Sequence, residues 1–78
     1  MSSRNSKVTA YTMEGCGYCT EQKTHLSSED TIINCSSKEG MQNQVCQKLE
    51  AFPTLSINGK LYQGLHTSKE ISDIKNKH

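Results

Sequence analysis

The sequence predicts an α/β fold: one four-stranded mixed sheet and three helices, in the order β-α-β-α-β-β-α. Three observations carry this. A strand-like run, Val8-Thr9-Ala10-Tyr11-Thr12, leads into Cys16-Gly17-Tyr18-Cys19 and then into a helix-like run. Met41, Val45, Cys46, Leu49 and Phe52 recur at helical spacing ahead of Pro53. Asn58-Gly59 separates two short β-like runs, and both residues tolerate the positive φ that a two-residue hairpin loop demands.

The first strand covers Lys7 to Thr12, where Val8, Ala10 and Tyr11 alternate weakly with polar neighbours. Met13-Glu14-Gly15 is a loop. The first helix runs from about Gly17 to Ser28 on a thin stripe of Tyr18, Cys19, Gln22 and Leu26. Ser27-Ser28-Glu29-Asp30 is turn chemistry. Thr31-Ile32-Ile33-Asn34-Cys35 is β-branched and reads as a second, buried strand. In the loop Ser36-Ser37-Lys38-Glu39-Gly40, Ser36 and Glu39 have capping-box spacing.

The second helix starts at Met41 and stops before Pro53, because a residue preceding proline is driven out of the helical region. Thr54-Leu55-Ser56-Ile57 and Lys60-Leu61-Tyr62-Gln63 form the hairpin. A two-residue loop sets Ile57 opposite Lys60 and Leu55 opposite Tyr62, with Ser56 and Leu61 on the other face. Apolar groups on both faces imply a sheet covered by helices on both sides. Thr67-Ser68-Lys69-Glu70 is a capping box for a short last helix with Ile71 and Ile74 inward. A strand joined to the next through a helix is parallel to it, with a right-handed crossover.

At 78 residues the chain is one domain. Residues 1–6 are polar, lack an apolar signal region and read as a flexible arm. Residues 7–78 form the domain. With 32% apolar residues, one Phe and no Trp, the core is poor and a covalent staple is welcome. Nine basic and eight acidic residues are well mixed, which leaves no footprint for nucleic acid or an anionic membrane. No apolar run can span a bilayer. We expect a soluble, cytoplasmic monomer without cofactor. His25, His66 and His78 form no cluster and are expected to be solvated and without role.

Four cysteines in so short a chain point to redox or metal chemistry in a reducing compartment, and to a disulfide framework in an oxidising one. Cys16 and Cys19 stand at a strand-to-helix junction, the setting of a dithiol redox site. Free N–H groups and the dipole at a helix N-terminus stabilise a thiolate. Cys16 is therefore the expected nucleophile, and Cys19, one turn inward, the resolving thiol. No Lys, Arg or His flanks the pair closely, and Glu14 mildly opposes ionisation, which suits a reductant or exchange catalyst over an extreme oxidant. Cys35 and Cys46 admit three readings: buried small hydrophobes, a second disulfide, or two ligands of a four-thiolate zinc site. Ten intervening residues fit the last poorly.

From Lys7 to Ile74 the element order, with CxxC after the first strand and Phe52-Pro53-Thr54 opening the hairpin, resembles the thioredoxin fold. The resemblance implies a cis Phe52–Pro53 bond packed against the active-site cysteines. It also implies that Phe52 offers backbone groups to an extended substrate, and Tyr18 reads as a solvent-facing spacer that also touches it. The chain's length and Val8-Thr9-Ala10-Tyr11-Thr12 are similar to a glutaredoxin. Several glutathione-binding features are absent: Met13 replaces the usual Lys, Ala51 the usual Thr, and Gln63-Gly64 the Gly-Gly pair. The sequence most resembles the small thioredoxin-like domains fused to vitamin K epoxide reductase homologues. They carry cysteines matching Cys35 and Cys46 and a segment matching Ile57-Asn58-Gly59-Lys60-Leu61-Tyr62-Gln63-Gly64. Gly15 stands where they carry Trp.

That resemblance implies a structural Cys35–Cys46 disulfide and no metal. It implies a thiol–disulfide oxidoreductase acting on protein disulfides or dithiols, recycled by a partner reductase or oxidase. Two alternatives stand beside it: a glutathione-dependent glutaredoxin, with weak glutathione use expected here, and a non-catalytic thioredoxin-fold binding module.

Overall fold

The computed structural model describes residues 8–76; the arm expected over residues 1–6 lies outside them. The elements are β1 (Val8–Thr12), α1 (Gly17–Thr24), β2 (Thr31–Asn34), α2 (Lys38–Met41), α3 (Gln44–Lys48), β3 (Thr54–Ile57), β4 (Lys60–Gln63) and α4 (Ser68–Asn76). One mixed sheet has the strand order β2-β1-β3-β4. β1 pairs with β2 in parallel and with β3 antiparallel, and β3 pairs antiparallel with β4.

The hairpin register follows from its loop. Asn58 at φ 54° and Gly59 at φ 83° complete a two-residue turn, so Ile57 faces Lys60, Leu55 faces Tyr62 and Ser56 faces Leu61. On one face of the sheet Val8, Ala10, Leu55 and Ile57 are fully buried with Ile71 of α4, and Leu26, Tyr62 and Ile74 pack around them. The opposite face gathers Tyr11, Cys35 and Cys46, with Ile33, Val45, Leu49 and Phe52 around them. β1 supplies both faces by simple alternation, Val8 and Ala10 to one and Tyr11 to the other.

The expectation of three helices is corrected to four among the described residues. Asn43 has extended backbone, and its side-chain oxygen accepts from the N–H groups of Val45 and Cys46 at 2.8 and 3.1 Å. An asparagine that caps a helix starts a new one, so the predicted single helix divides into α2 and α3. Met41, read as the first inward residue, is 61% exposed. α3 stops before Pro53 as expected but earlier than the stripe implied: Leu49 is already extended, and residues 49–53 form an irregular connection. The capping serine of α2 is Ser37, not Ser36; its hydroxyl accepts from the Gly40 N–H at 3.0 Å.

Two smaller corrections follow from sheet order, and a third concerns the end of α1. β2 lies at an edge and is not buried; Ile32 is 44% exposed. β4 is the other edge, and Leu61 is half exposed, so helices do not cover the whole of both faces. α1 ends at Thr24, four residues short of Ser28, with the His25 and Leu26 amides closing tight turns onto Gln22 and Lys23. The α4 capping box forms as read: the Glu70 N–H donates to the Thr67 hydroxyl at 3.2 Å, and the Thr67 N–H donates to the Glu70 carboxylate at 2.9 Å. No helix of the described residues is long and apolar enough to cross a membrane.

Candidate functional site

Cys16 is the N-cap of α1. Its backbone is extended, and its sulfur takes the place that a serine or asparagine oxygen usually fills. The Cys19 N–H donates to Cys16 Sγ at 3.1 Å. A sulfur in this position sits where the helix leaves its first amides unpaired. On its other side the Cys16 thiol donates to the Phe52 carbonyl oxygen at 3.9 Å, a long sulfur contact that spans 36 positions of sequence. The β1–α1 loop and the connection ahead of β3 therefore meet at this one atom.

The two thiols are both free and differ in access. Cys16 is partly exposed, whereas Cys19 is 2% exposed. Burial pushes the Cys19 thiol up to about 11, and its hydrogen bond with Cys16 acts in the same direction. The pair thus combines a reachable sulfur with a shielded one, a single helical turn apart.

Pro53 is fully buried, and the Phe52–Pro53 peptide bond is cis. Pro53 has no N–H to satisfy, and its carbonyl accepts from the Gly64 N–H at 2.8 Å. Phe52 is partly buried against the Tyr11–Cys35–Cys46 cluster. Tyr18 projects to solvent at 67% exposure, directly between the two cysteines in sequence, and Met13 is 43% exposed on the loop before them. A cavity of about 290 Å³ opens beside the dithiol. Its walls include Glu14, both cysteines, Lys23 and Asn34.

Cys35 and Cys46 are joined by a disulfide, with their Cα atoms 5.6 Å apart. Both are at least nine-tenths buried. Their sulfurs are not available as thiolates, and among the described residues no group of three His, Cys, Asp or Glu side chains is placed to hold a metal ion.

Several residues that hold the site together escaped sequence reading. Ser36 lies after β2, and its hydroxyl accepts from the Glu14 N–H at 3.1 Å, tying the loop before Cys16 to the segment that follows β2. Gln22 is fully buried. Its amide donates to the His66 carbonyl at 2.8 Å and accepts from the His66 N–H at 2.7 Å, which fixes α1 to the loop before α4. The signal was available: a lone glutamine on the inward stripe of a helix needs partners. His66 is accordingly not solvated; it is partly buried, its ring nitrogen lies 2.9 Å from the Gly64 carbonyl, and it meets Tyr62 edge-on. Gly40 packs against the end of β2, where an added Cβ would collide with the Asn34 carbonyl and come within 2.6 Å of Cys35 Cα.

Scanned against models of known protein families, the chain matches none, and a search of curated proteins also finds no match.

Proposed function

We propose that this chain is a thioredoxin-like thiol–disulfide oxidoreductase that exchanges electrons with protein disulfides through Cys16 and Cys19. One observation carries the reading. A partly exposed thiol caps a helix and accepts an amide hydrogen bond, while a shielded thiol waits one turn behind it. The element order, the Phe52 carbonyl beside Cys16 and the buried proline that follows it support the same assignment.

The chemistry follows from that asymmetry. The Cys16 thiolate attacks one sulfur of a substrate disulfide. A Cys16–substrate bond forms, the substrate S–S bond breaks, and the departing thiolate takes a proton from solvent. Cys19 then gives up its proton and attacks Cys16 Sγ, which releases the second substrate thiol. Two electrons have passed to the substrate, and the chain holds a Cys16–Cys19 disulfide. A partner dithiol restores it.

Phe52 and Tyr18 frame the approach: the Phe52 carbonyl lies at the attacking sulfur, and exposed Tyr18 and Met13 offer apolar surface to an incoming chain. The test is reduction of a disulfide-bonded model protein with dithiothreitol as the recycling dithiol. Wild-type protein accelerates the reaction over dithiothreitol alone, and Cys16→Ser, with an unchanged circular-dichroism spectrum, does not. Equal rates for the two proteins would remove the proposal.

A further inference from the structure

In the proposed reaction, on which this inference rests, the shielded Cys19 thiol has to become a thiolate before it can attack. Its surroundings work against that step, since burial and the contact with Cys16 both favour the neutral thiol. The free dithiol is the least favourable case, because a charge on Cys16 repels one on Cys19. Once Cys16 is bonded to substrate, that repulsion is gone and the remaining neighbours decide.

Two charged side chains line the cavity that Cys19 also lines, Lys23 and Glu14. Lys23 follows Cys19 by four positions within α1. Residues four apart lie one above the other on a helix face, so the Lys23 side chain rises on the side of α1 from which Cys19 meets the cavity. The lysine is exposed while the thiol is not, which places the ammonium at the rim and the sulfur at the floor. Glu14 reaches the same space from the loop before Cys16 and opposes charge on sulfur. The Met13 backbone N–H and the Lys23 ammonium favour it.

We propose that Lys23 is a positioning residue for resolution: across the cavity its ammonium stabilises the Cys19 thiolate as that sulfur attacks the Cys16–substrate disulfide. The electron pair comes from Cys19 Sγ. The Cys16–Cys19 bond forms as the bond from Cys16 to the substrate breaks, the substrate leaves as a thiolate, and the Cys19 proton passes to solvent through the cavity. Lys23 touches neither substrate nor Cys16 in this scheme and acts through Cys19 alone.

Dithiodipyridine separates the steps, because each chain releases one chromophore when Cys16 attacks and a second when Cys19 resolves. With one reagent molecule per chain, Lys23→Gln leaves the first release unchanged. The second slows at neutral pH, because the loss of thiolate fraction outweighs the higher intrinsic nucleophilicity of a more basic thiol. The pH midpoint of the second release moves up, and Lys23→Arg restores both rate and midpoint. An unchanged second release in Lys23→Gln overturns the role of Lys23 while leaving the dithiol reading intact. So does equal slowing of both releases, which marks a structural lysine. A wild-type protein that yields only one chromophore overturns the dithiol reading itself.

Discussion

At the scale of single residues, the site is built from an inequality between two identical side chains. Cys16 gains the capping position and solvent access from its place at the helix start, whereas Cys19, three positions on, is shielded from solvent. The spacing made this much legible, because helical geometry puts the second thiol of a CxxC one turn inward. The residues alone did not give the partner of Cys16: a resemblance implied that Phe52 offers backbone groups at the site, and the contact of its carbonyl with Cys16 joins distant segments. Burial of Cys19 has a consequence for stability. Its folded-state pKa, about 11, lies above the ordinary thiol value near 9, so the fold favours the protonated thiol. That contribution is fully present below about pH 9 and is lost as pH rises through about 11. Urea midpoints of the reduced protein are expected to fall across this window more steeply than those of Cys19→Ala. Gln22 is the other residue with a large stake. Gln22→Leu removes both partners of the His66 backbone and is expected to cost about 2 kcal/mol, read from urea unfolding.

Among the elements, local chemistry decided where periodicity could not. Met41, Val45, Cys46, Leu49 and Phe52 trace one helical stripe, but the Asn43 side chain satisfies two amides that a continuous helix would have bonded along its own backbone. The stripe is real for Val45 and Cys46, which pack inward, and fails for Met41, which belongs to the preceding turn. Asn43→Ala is expected to destabilise the protein by about 1 kcal/mol in thermal or urea unfolding, the usual worth of such a cap. The hairpin was legible to the residue because Asn58-Gly59 fixes its loop length and loop length fixes register. The exposure of β2 was not, since a β-branched strand reads alike at the centre and at the edge of a sheet, and only the strand order separates the two. Gly40 joins two elements: α2 can lie against the end of β2 only without a Cβ there. Gly40→Ala is expected to cost about 3 kcal/mol, since the colliding atoms are backbone and cannot swing away.

For the whole molecule, the sheet divides the labour. One face carries the aliphatic core of Val8, Ala10, Leu55, Ile57 and Ile71. The other is closed by the Cys35–Cys46 disulfide, packed with Tyr11, Val45 and Phe52. With no Trp and one Phe, the chain has little apolar volume to spend there. In the chain-entropy model a bridge closing a loop of this size contributes about 3 kcal/mol. Replacing both Cys35 and Cys46 with alanine is expected to lower the unfolding free energy by about that amount while leaving Cys16 and Cys19 reactive, as urea titration and thiol counting would show. The mixed sheet was legible from the connections alone, whereas the pairing of Cys35 with Cys46 rested on a resemblance.

The most direct measurement of the central claim, that Cys16 attacks and Cys19 resolves, uses Cys19→Ser. This variant keeps the attacking thiol and removes the resolving one. Incubated with a disulfide-bonded model protein and taken to intact-mass spectrometry without reductant, it is expected to carry one substrate chain, linked through Cys16. Wild-type protein clears the same adduct, and Cys16→Ser never forms it. Turnover by Cys19→Ser at the wild-type rate, or no adduct at Cys16, would contradict the dithiol mechanism.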